Sequence, residues 1–291
     1  MTDIRMLLLA PLACLTVIFV WQWWRSARRD PAAGHDERVR PTLLQVVIGF
    51  LVSFFDTLGI GSLATTTTTF KTLRMVPDER LPGTMIVGLT LPVVTQAFIF
   101  ISRIQIDPVL LVLMIATALA GGWLGAGIVS RLPRRPIQLG MGGALLVAAL
   151  FMTIAQLNRM PVGGTALALD GGALWLALGV NFILGALIML GVGNYGPTFV
   201  LLSALGMDPR AAFPIMMGSG AFAALLGCLA FVKRRNQVNQ PALGLAIGGI
   251  PGVLVAALLV TSLPIAVLRW LVIVVVVYAA TVMIRSGTRA G

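Results

Sequence analysis

Charged residues are scarce in this chain of 291 residues, since Asp, Glu, Lys and Arg together make up only 11% of it. An ordinary soluble domain contains about 25% of these residues. Hydrophobic residues make up 58%, and the mean hydropathy is +0.97. This balance excludes an ordinary soluble globular protein. It predicts a single all-helical membrane domain, because apolar runs of roughly 20 residues cross the hydrocarbon core as helices.

Metal-binding and nucleophilic side chains are also few. The single histidine, His35, lies in a charged loop, and Cys14 and Cys228 lie far apart inside apolar stretches. One loop histidine without clustered acids does not make a metal site. No GxxxxGK[ST] phosphate-binding loop occurs either, so we expect no direct ATP hydrolysis. We therefore expect no cofactor and no enzymatic activity.

Acidic residues are outnumbered by basic ones, 10 to 21, which gives a formal net charge of +11. The basic residues lie in short clusters between apolar runs and not on one soluble face. We therefore expect the chain to lie in a lipid bilayer, with these basic residues setting its orientation. We expect no nucleic-acid binding.

Apolar runs recur along the whole chain. Two of them, 61–74 and 194–206, are too short to cross a membrane, and each adjoins a glycine-containing break. We interpret 42–74 and 173–206 as broken helical hairpins that enter the membrane and return to the same side. The complete set of runs lies at about 6–24, 42–58, 61–74, 84–102, 108–129, 137–157, 173–190, 194–206, 211–231, 241–260 and 263–284.

The distribution of Lys and Arg predicts an orientation. If each hairpin returns to its own side, most basic residues fall on the cytoplasmic side, and four fall outside: Arg5, Arg103, Arg159 and Arg210. This agrees with the positive-inside rule for an inner (plasma) membrane protein with the N-terminus outside and the C-terminus in the cytoplasm. The first run is followed by arginines and by no small-residue cleavage site, so we expect it to be retained as a span.

The two halves of the chain resemble each other at an offset of about 132 residues. Gly59-x-Gly61 recurs as Gly191-x-Gly193, and Gly88 corresponds to Gly220. Each half has one returning hairpin and three spans, an odd number of crossings, so the second half must be inverted relative to the first. Inverted repeats with interrupted helices are typical of secondary transporters.

The predicted fold is therefore an all-α polytopic membrane protein with two inverted-topology repeats. Each repeat consists of a broken helical hairpin and three transmembrane helices, and one extra transmembrane helix precedes them. The expected boundaries are 1–41 for the extra helix and a basic cytoplasmic loop, 42–157 for the first repeat, 158–172 for an external linker and 173–291 for the second repeat.

The two breaks are the candidate substrate site. A broken membrane helix leaves backbone N–H and C=O groups that hydrocarbon cannot satisfy, and the helix that begins after the break directs its positive end at the gap. Two such ends suit a small anion. The alternative is that the glycines only permit close helix packing. The candidate binding residues are Asp56, Thr57, Gly59, Gly61, Ser62 and Thr65 at the first break, and Gly191, Gly193, Asn194, Tyr195 and Gly196 at the second.

Asp56 is the only carboxylate in the middle of an apolar run, and an intramembrane acid is a functional candidate. Two roles remain open for it: exchange of a coupled proton, or capping of the N–H groups that the break leaves free. In the threonine run Thr65–Thr69, we expect most hydroxyls to bond back to their own helix. The polar residues Gln96 and Asn181 are predicted to join neighbouring helices.

The first break motif is Phe54-Phe55-Asp56-Thr57-Leu58-Gly59-Ile60-Gly61-Ser62, and the second is Gly193-Asn194-Tyr195-Gly196-Pro197-Thr198-Phe199. Both resemble the motifs of the sulfite exporter TauE/SafE family of permeases. The resemblance covers about residues 42–285 and leaves the first span as an addition. It implies transport of sulfite, an organosulfonate or a related sulfur-containing or carboxylate anion, in either direction, with protons as the expected coupling ion.

Two other function classes are alternatives to an alternating-access carrier. A membrane-embedded enzyme or assembly factor needs a paired nucleophile and base or a metal cluster, and the apolar runs offer one acid and isolated hydroxyls. A passive anion channel would show voltage-dependent single-channel currents where a carrier shows saturable flux.

Overall fold

The computed structural model describes residues 2–28, 40–59, 61–129, 164–188 and 195–289, together with scattered residues between 139 and 157. Regular structure in these residues is helical, apart from an isolated bridge between Ala166 and Met207. The all-helical prediction is confirmed. The extended helices are α1 (Thr2–Arg28), α2 (Leu43–Thr57), α3 (Ser62–Thr72), α4 (Leu81–Arg103), α5 (Pro108–Val129), α6 (Gly171–Ile188), α7 (Tyr195–Ala204), α8 (Ala212–Arg234), α9 (Asn239–Ser262) and α10 (Ile265–Arg289).

Four segments of the described chain are long and apolar enough to cross a membrane: Arg5–Arg28, Leu81–Arg103, Pro209–Arg234 and Asn239–Ser262. The third includes a short 3₁₀ helix, Pro209–Ala211, that precedes α8. The other apolar helices give shorter continuous stretches. The described helices thus have the length and composition of a multi-pass membrane protein.

Both predicted hairpins are pairs of helices. In the first, α2 ends at Thr57 and α3 begins at Ser62; in the second, α6 ends at Ile188 and α7 begins at Tyr195. Residues 189–194, which contain the second predicted break, lie outside the described residues. The helices after the breaks are short, with 11 residues in α3 and 10 in α7.

The short helices α3 and α7 end in the same way. The Met75 amide donates to the Phe70 carbonyl oxygen at 3.0 Å, and the Met207 amide donates to the Leu202 carbonyl oxygen at 3.0 Å. The residue before each methionine has a positive φ, 50° in one helix and 81° in the other. Such bonds to the carbonyl five residues earlier, with a left-handed residue before the donor, satisfy the last carbonyls of a helix.

The threonine run of α3 is tied to its own helix. Four hydroxyls donate to carbonyl oxygens three or four residues earlier, at 2.7 to 2.9 Å. This confirms the predicted back-bonding for Thr65, Thr66, Thr67 and Thr69. It also uses hydroxyl hydrogens that would otherwise have to find partners in an apolar environment.

The contacts within the fold divide the chain into two compact units. One consists of Met1–Thr57, Gly61–Ile99 and Gly220–Leu259, and the other of Leu58–Ile60, Phe100–Ser219 and Val260–Gly291. In the first unit, α2 packs on α9 so closely that a Cβ at Gly252 would collide with the Phe50 carbonyl oxygen. In the second, α5 packs on α6, and a Cβ at Gly121 would collide with the Phe182 carbonyl oxygen. Small residues permit this approach of helix backbones in membranes.

Candidate functional site

The first break is a turn of two left-handed glycines. Gly59 has φ 99° and Gly61 has φ 86°, a region that glycine enters without steric penalty. A Cβ built on Gly61 would meet no heavy atom within 4 Å. The backbone at this position therefore borders open space, beside the N-terminus of α3.

Asp56 connects the helices on both sides of this turn. Its side chain is buried, with 2% of the residue exposed. Gln96 of α4 donates from Nε2 to Asp56 Oδ2 at 3.0 Å and to Thr57 Oγ1 at 2.9 Å. The Ser62 hydroxyl and backbone N–H also hydrogen-bond the Asp56 carboxyl. Because Gly61 has no side chain to cap α3, the carboxyl of the preceding helix supplies the cap.

Two more polar atoms lie near this arrangement without a partner in the protein. Gln96 Oε1 and Ser53 Oγ are buried and unpaired, and Ser53 lies one turn before Asp56 on α2. A buried polar atom without a hydrogen bond costs about 1–3 kcal/mol. Membrane-embedded backbone and side chains of this kind are tolerated where they line a polar cavity.

Gly59 lies against α7, in the second compact unit. A Cβ built on Gly59 would be 3.4 Å from Phe199 Cε2 of α7 and 3.2 Å from Val275 Cγ1 of α10. Phe199 belongs to a buried aromatic cluster: its ring is 5.0 Å from that of Phe213, which in turn lies 5.0 Å from the ring of Phe100. The backbone at Gly59 is therefore packed against this aromatic cluster, close to the short helix that follows the second predicted break.

The candidate residues of the second break are only partly described. Gly191, Gly193 and Asn194 lie outside the described residues. Tyr195 is the first residue of α7, and Gly196 is the second. The structure describes α7 from Tyr195 onward, and the role of these five residues stays a prediction.

The sequence analysis did not single out two buried polar residues. Ser53 belongs to the Asp56 arrangement, and Thr198 of α7 is fully buried with its Oγ1 unpaired. Signals for them existed: Ser53 precedes Asp56 by one helical turn, and Thr198 lies 132 residues after Thr66. The predicted interhelical role of Gln96 is confirmed. That of Asn181 is also confirmed, because its Nδ2 donates to the Met114 carbonyl oxygen of α5 at 2.5 Å.

Comparison with known protein families identifies one match. The model of the family described as sulfite exporter TauE/SafE matches residues 2–152, slightly more than half of the chain. The match includes α1, so the expectation that the first helix is an addition to the family pattern is wrong. The match ends before the second break motif. No curated protein and no solved structure matches the chain. Among the described residues, no group of three His, Cys, Asp or Glu side chains could hold a metal ion.

Proposed function

Since the chain belongs to the sulfite exporter TauE/SafE family, we propose that it is an inner-membrane secondary transporter that carries a small anion by alternating access. The expected substrate is sulfite, an organosulfonate or a related sulfur-containing or carboxylate anion. One observation carries the proposal: a left-handed glycine turn, open on one side, joins a buried carboxyl to the N-terminus of a short helix.

The proposed anion site is the N-terminus of α3. The first N–H groups of a helix have no partner inside the helix, and they form the positive end of its dipole. Gly61 borders open space, so an anion can approach these groups without meeting a side chain. In this proposal Gly59, Gly61, Ser62 and Thr65 line the anion, while Asp56 and Thr57 hold the turn in place.

The start of α7 is the proposed second half of the site. Gly191, Gly193, Asn194, Tyr195 and Gly196 precede or begin this helix, whose N-terminus would offer the same donors. The contact between the position of Gly59 and Phe199 supports this assignment, since Phe199 is the fifth described residue of α7.

Asp56 gives the proposed site a way to couple anion and proton. An ionised carboxylate at the α3 N-terminus accepts from the Ser62 N–H, which is a donor that an anionic substrate needs. Protonation of Asp56 removes the competing negative charge and weakens its hydrogen bond from this donor, so that an anionic substrate can compete for the N–H. We therefore propose that Asp56 caps α3 when it is ionised and carries the coupled proton when it is protonated.

Contacts inside the two units support a pair of related repeats. Contacts between α2 and α9 in the first unit recur between α6 and α5 in the second. Adding 132 to the residue number on α2 gives the matching residue on α6, and subtracting 131 from the residue number on α9 gives the matching residue on α5. In each case the first helix of one repeat packs on the second of the three predicted spans of the other repeat: α2 on α9, and α6 on α5. The matched contacts are Phe50–Gly252 with Phe182–Gly121, Ser53–Gly249 with Gly185–Ala118, and Gly49–Leu245 with Asn181–Met114.

The matching ends of α3 and α7 support the same proposal, because their terminal hydrogen bonds are also 132 residues apart. Each repeat has an odd number of predicted crossings, so the proposed relation is an inverted one. Inverted repeats with interrupted helices alternate between two openings around a fixed site, which is the physical basis for the alternating access we propose.

The test is anion flux in proteoliposomes that contain the purified protein. We expect saturable uptake of sulfite or of one member of a panel of sulfonates and small carboxylates, faster when the proton gradient drives protons in the same direction. Asp56→Asn should keep the cap, because an amide oxygen still accepts from Ser62, and should remove the dependence of flux on pH. Asp78→Asn is the matched control, since Asp78 is exposed and pairs with Lys71 at 3.2 Å.

Three outcomes would contradict the proposal. Absence of saturable flux for every anion of the panel would exclude the proposed substrate class. Unchanged pH dependence in the Asp56→Asn variant would leave Asp56 as a cap only. Voltage-dependent single-channel currents without saturation would identify a channel.

A further inference from the structure

One end of α1 forms a basic cleft with the end of α8. The cleft has a volume of about 520 Å³. Trp21, Gln22, Arg25 and Ser26 line it from α1, and Lys233 and Arg235 line it from the other side. All of these residues belong to the first compact unit, and none of them belongs to the break at which we propose anion transport.

Specific contacts hold the two walls together. The Ser26 hydroxyl donates to the Val232 carbonyl oxygen at 3.5 Å, and the Trp23 indole N–H donates to Asn239 Oδ1 at 2.9 Å. Trp23 is buried and stacks on Phe19 with ring centroids 5.6 Å apart. The cleft is therefore a feature of helix packing.

The cleft collects positive charge without compensation. It is lined by Arg25, Lys233 and Arg235, and no lining residue is acidic. Within the described part of the chain, the only salt bridge joins Lys71 and Asp78, elsewhere in the first unit. Three cations that share a cleft repel one another unless an anion lies between them, and a guanidinium presents parallel N–H donors that fit phosphate oxygens.

The surroundings of the cleft match the boundary between lipid tails and headgroups. The outer face of α1 exposes large apolar side chains, among them Leu7, Val17 and Trp24. Tryptophans at the end of a span are typical of the headgroup level. The Arg25 guanidinium lies 5.1 Å from the ring centroid of Trp21, and Trp21 is 53% exposed. An acyl chain can lie along the apolar face of α1 while its headgroup enters the cleft.

We propose that this cleft binds the phosphate headgroup of an anionic phospholipid. Arg25 and Arg235 donate to the phosphate oxygens, Lys233 adds a point charge, and Gln22 and Ser26 offer neutral donors. The site binds a lipid and not a free anion, because the cations stand beside an exposed apolar face that contacts acyl chains. Basic pockets between membrane helices recognise anionic headgroups in this way. The proposal is independent of the transport function.

Lipid retention on the intact protein tests this proposal. The purified chain is titrated with phosphatidylglycerol or with zwitterionic phosphatidylethanolamine and followed by native mass spectrometry. The wild-type protein should retain phosphatidylglycerol selectively. The triple variant Arg25→Gln/Lys233→Gln/Arg235→Gln should bind it about a hundredfold more weakly, since each cation near an anionic headgroup contributes about a fivefold factor.

A matched triple variant controls for the general loss of charge. Lys71→Gln/Arg74→Gln/Arg80→Gln removes three cations from the last turn of α3 and the loop that follows it. None of them lines the cleft, so this variant should keep wild-type lipid affinity. Thermal unfolding in detergent verifies that both variants fold. A single substitution, Arg235→Gln, should give an intermediate loss if the triple variant fails to fold.

Three results would overturn the proposal. The first is equal retention of phosphatidylglycerol by the wild-type and cleft variants. The second is an equal loss in the control variant, which would show that total charge and not the cleft holds the lipid. The third is displacement of the lipid by millimolar inorganic phosphate or sulfite, which would identify a site for free anions. Retention in the presence of both ions supports a lipid site.

Discussion

At the scale of single residues, the buried carboxyl of Asp56 explains most of the geometry at the first break. It accepts from Gln96 of α4 and from Ser62 at the start of α3, so one side chain joins three helices. A buried charge or polar group is tolerated when hydrogen bonds replace the water that it has lost. Removing a donor from such a group is therefore more damaging than replacing both partners.

The substitution Gln96→Leu tests this arrangement. It removes the donor to Asp56 and Thr57 and leaves both oxygens short of a partner, so we expect a loss of about 1–3 kcal/mol in the free energy of unfolding. The measurement is the midpoint of thermal unfolding in detergent. Thr95→Val is the control on the same helix, because the Thr95 hydroxyl donates only to the Leu91 carbonyl oxygen of α4. Equal midpoints for the two variants would contradict the prediction.

A second residue-scale prediction concerns the left-handed turn. Gly61 and Gly179 both have open space where a Cβ would lie, and only Gly61 has a positive φ. We expect Gly61→Ala to destabilise the protein by about 1–2 kcal/mol through backbone strain. Gly179→Ala, inside α6, should leave stability unchanged or raise it by up to about 1 kcal/mol. The unfolding midpoint of Gly61→Ala should therefore fall, and that of Gly179→Ala should not. If the midpoint of Gly61→Ala does not fall, the conformation of the turn is not fixed by Gly61.

At the scale of helices, the glycines on α5 and α9 determine how closely their neighbours approach. Gly121 faces the backbone of α6, and Gly252 faces that of α2. Association of membrane helices depends on close van der Waals packing, since lipid tails are as apolar as the side chains. A single added methyl group at either position must push two backbones apart.

The two glycines should respond alike to substitution if the repeats are related. We expect Gly121→Ala and Gly252→Ala each to lower the unfolding midpoint and the yield of folded protein by similar amounts, because each methyl group would collide with a carbonyl oxygen. Gly227→Ala is the control, since its Cβ would have only Ile86 Cγ2 nearby, at 3.9 Å. A loss in one variant and none in the other would contradict the proposed correspondence between the two contacts.

At the scale of the whole molecule, the clusters of Lys and Arg determine the proposed orientation. Basic residues end α1 and α8 in pairs, and Lys71 in the last turn of α3 is followed by Arg74 and Arg80 in the next loop. The end of α4 carries only Arg103. Cytoplasmic retention of basic loops favours the orientation in which the clusters stay inside. The N-terminus is then outside and the C-terminus inside.

Thiol labelling in intact cells checks this orientation. In a background of Cys14→Ser and Cys228→Ser, we expect Arg103→Cys to react with a membrane-impermeant maleimide added from outside. Arg234→Cys should react only after the membrane is permeabilised. Both substituted residues lie at helix ends, so both thiols are accessible to the reagent from one side. The reverse pattern would refute the proposed topology.

The sequence alone determined the class of the protein, the first helical break, the back-bonded threonines and the resemblance to the family that the comparison then identified. These properties depend on neighbours in the chain: an apolar run requires a helix in lipid, and a left-handed turn requires glycine. Each of them can therefore be recognised within a short segment. The same reasoning identified Asp56 as a candidate and left its role as a cap or a proton carrier open.

Only the tertiary structure decided what those local features meet. Gln96 pairs with Asp56 across 40 positions of sequence, Gly59 lies beside Phe199 of α7, and Arg25 shares a cleft with Lys233 and Arg235. These pairings follow from the way helix faces pack, and apolar helices that are hydrophobic all round carry little information in their sequence about which face meets which neighbour. The partners of the buried carboxyl and of the basic cleft were therefore fixed by packing.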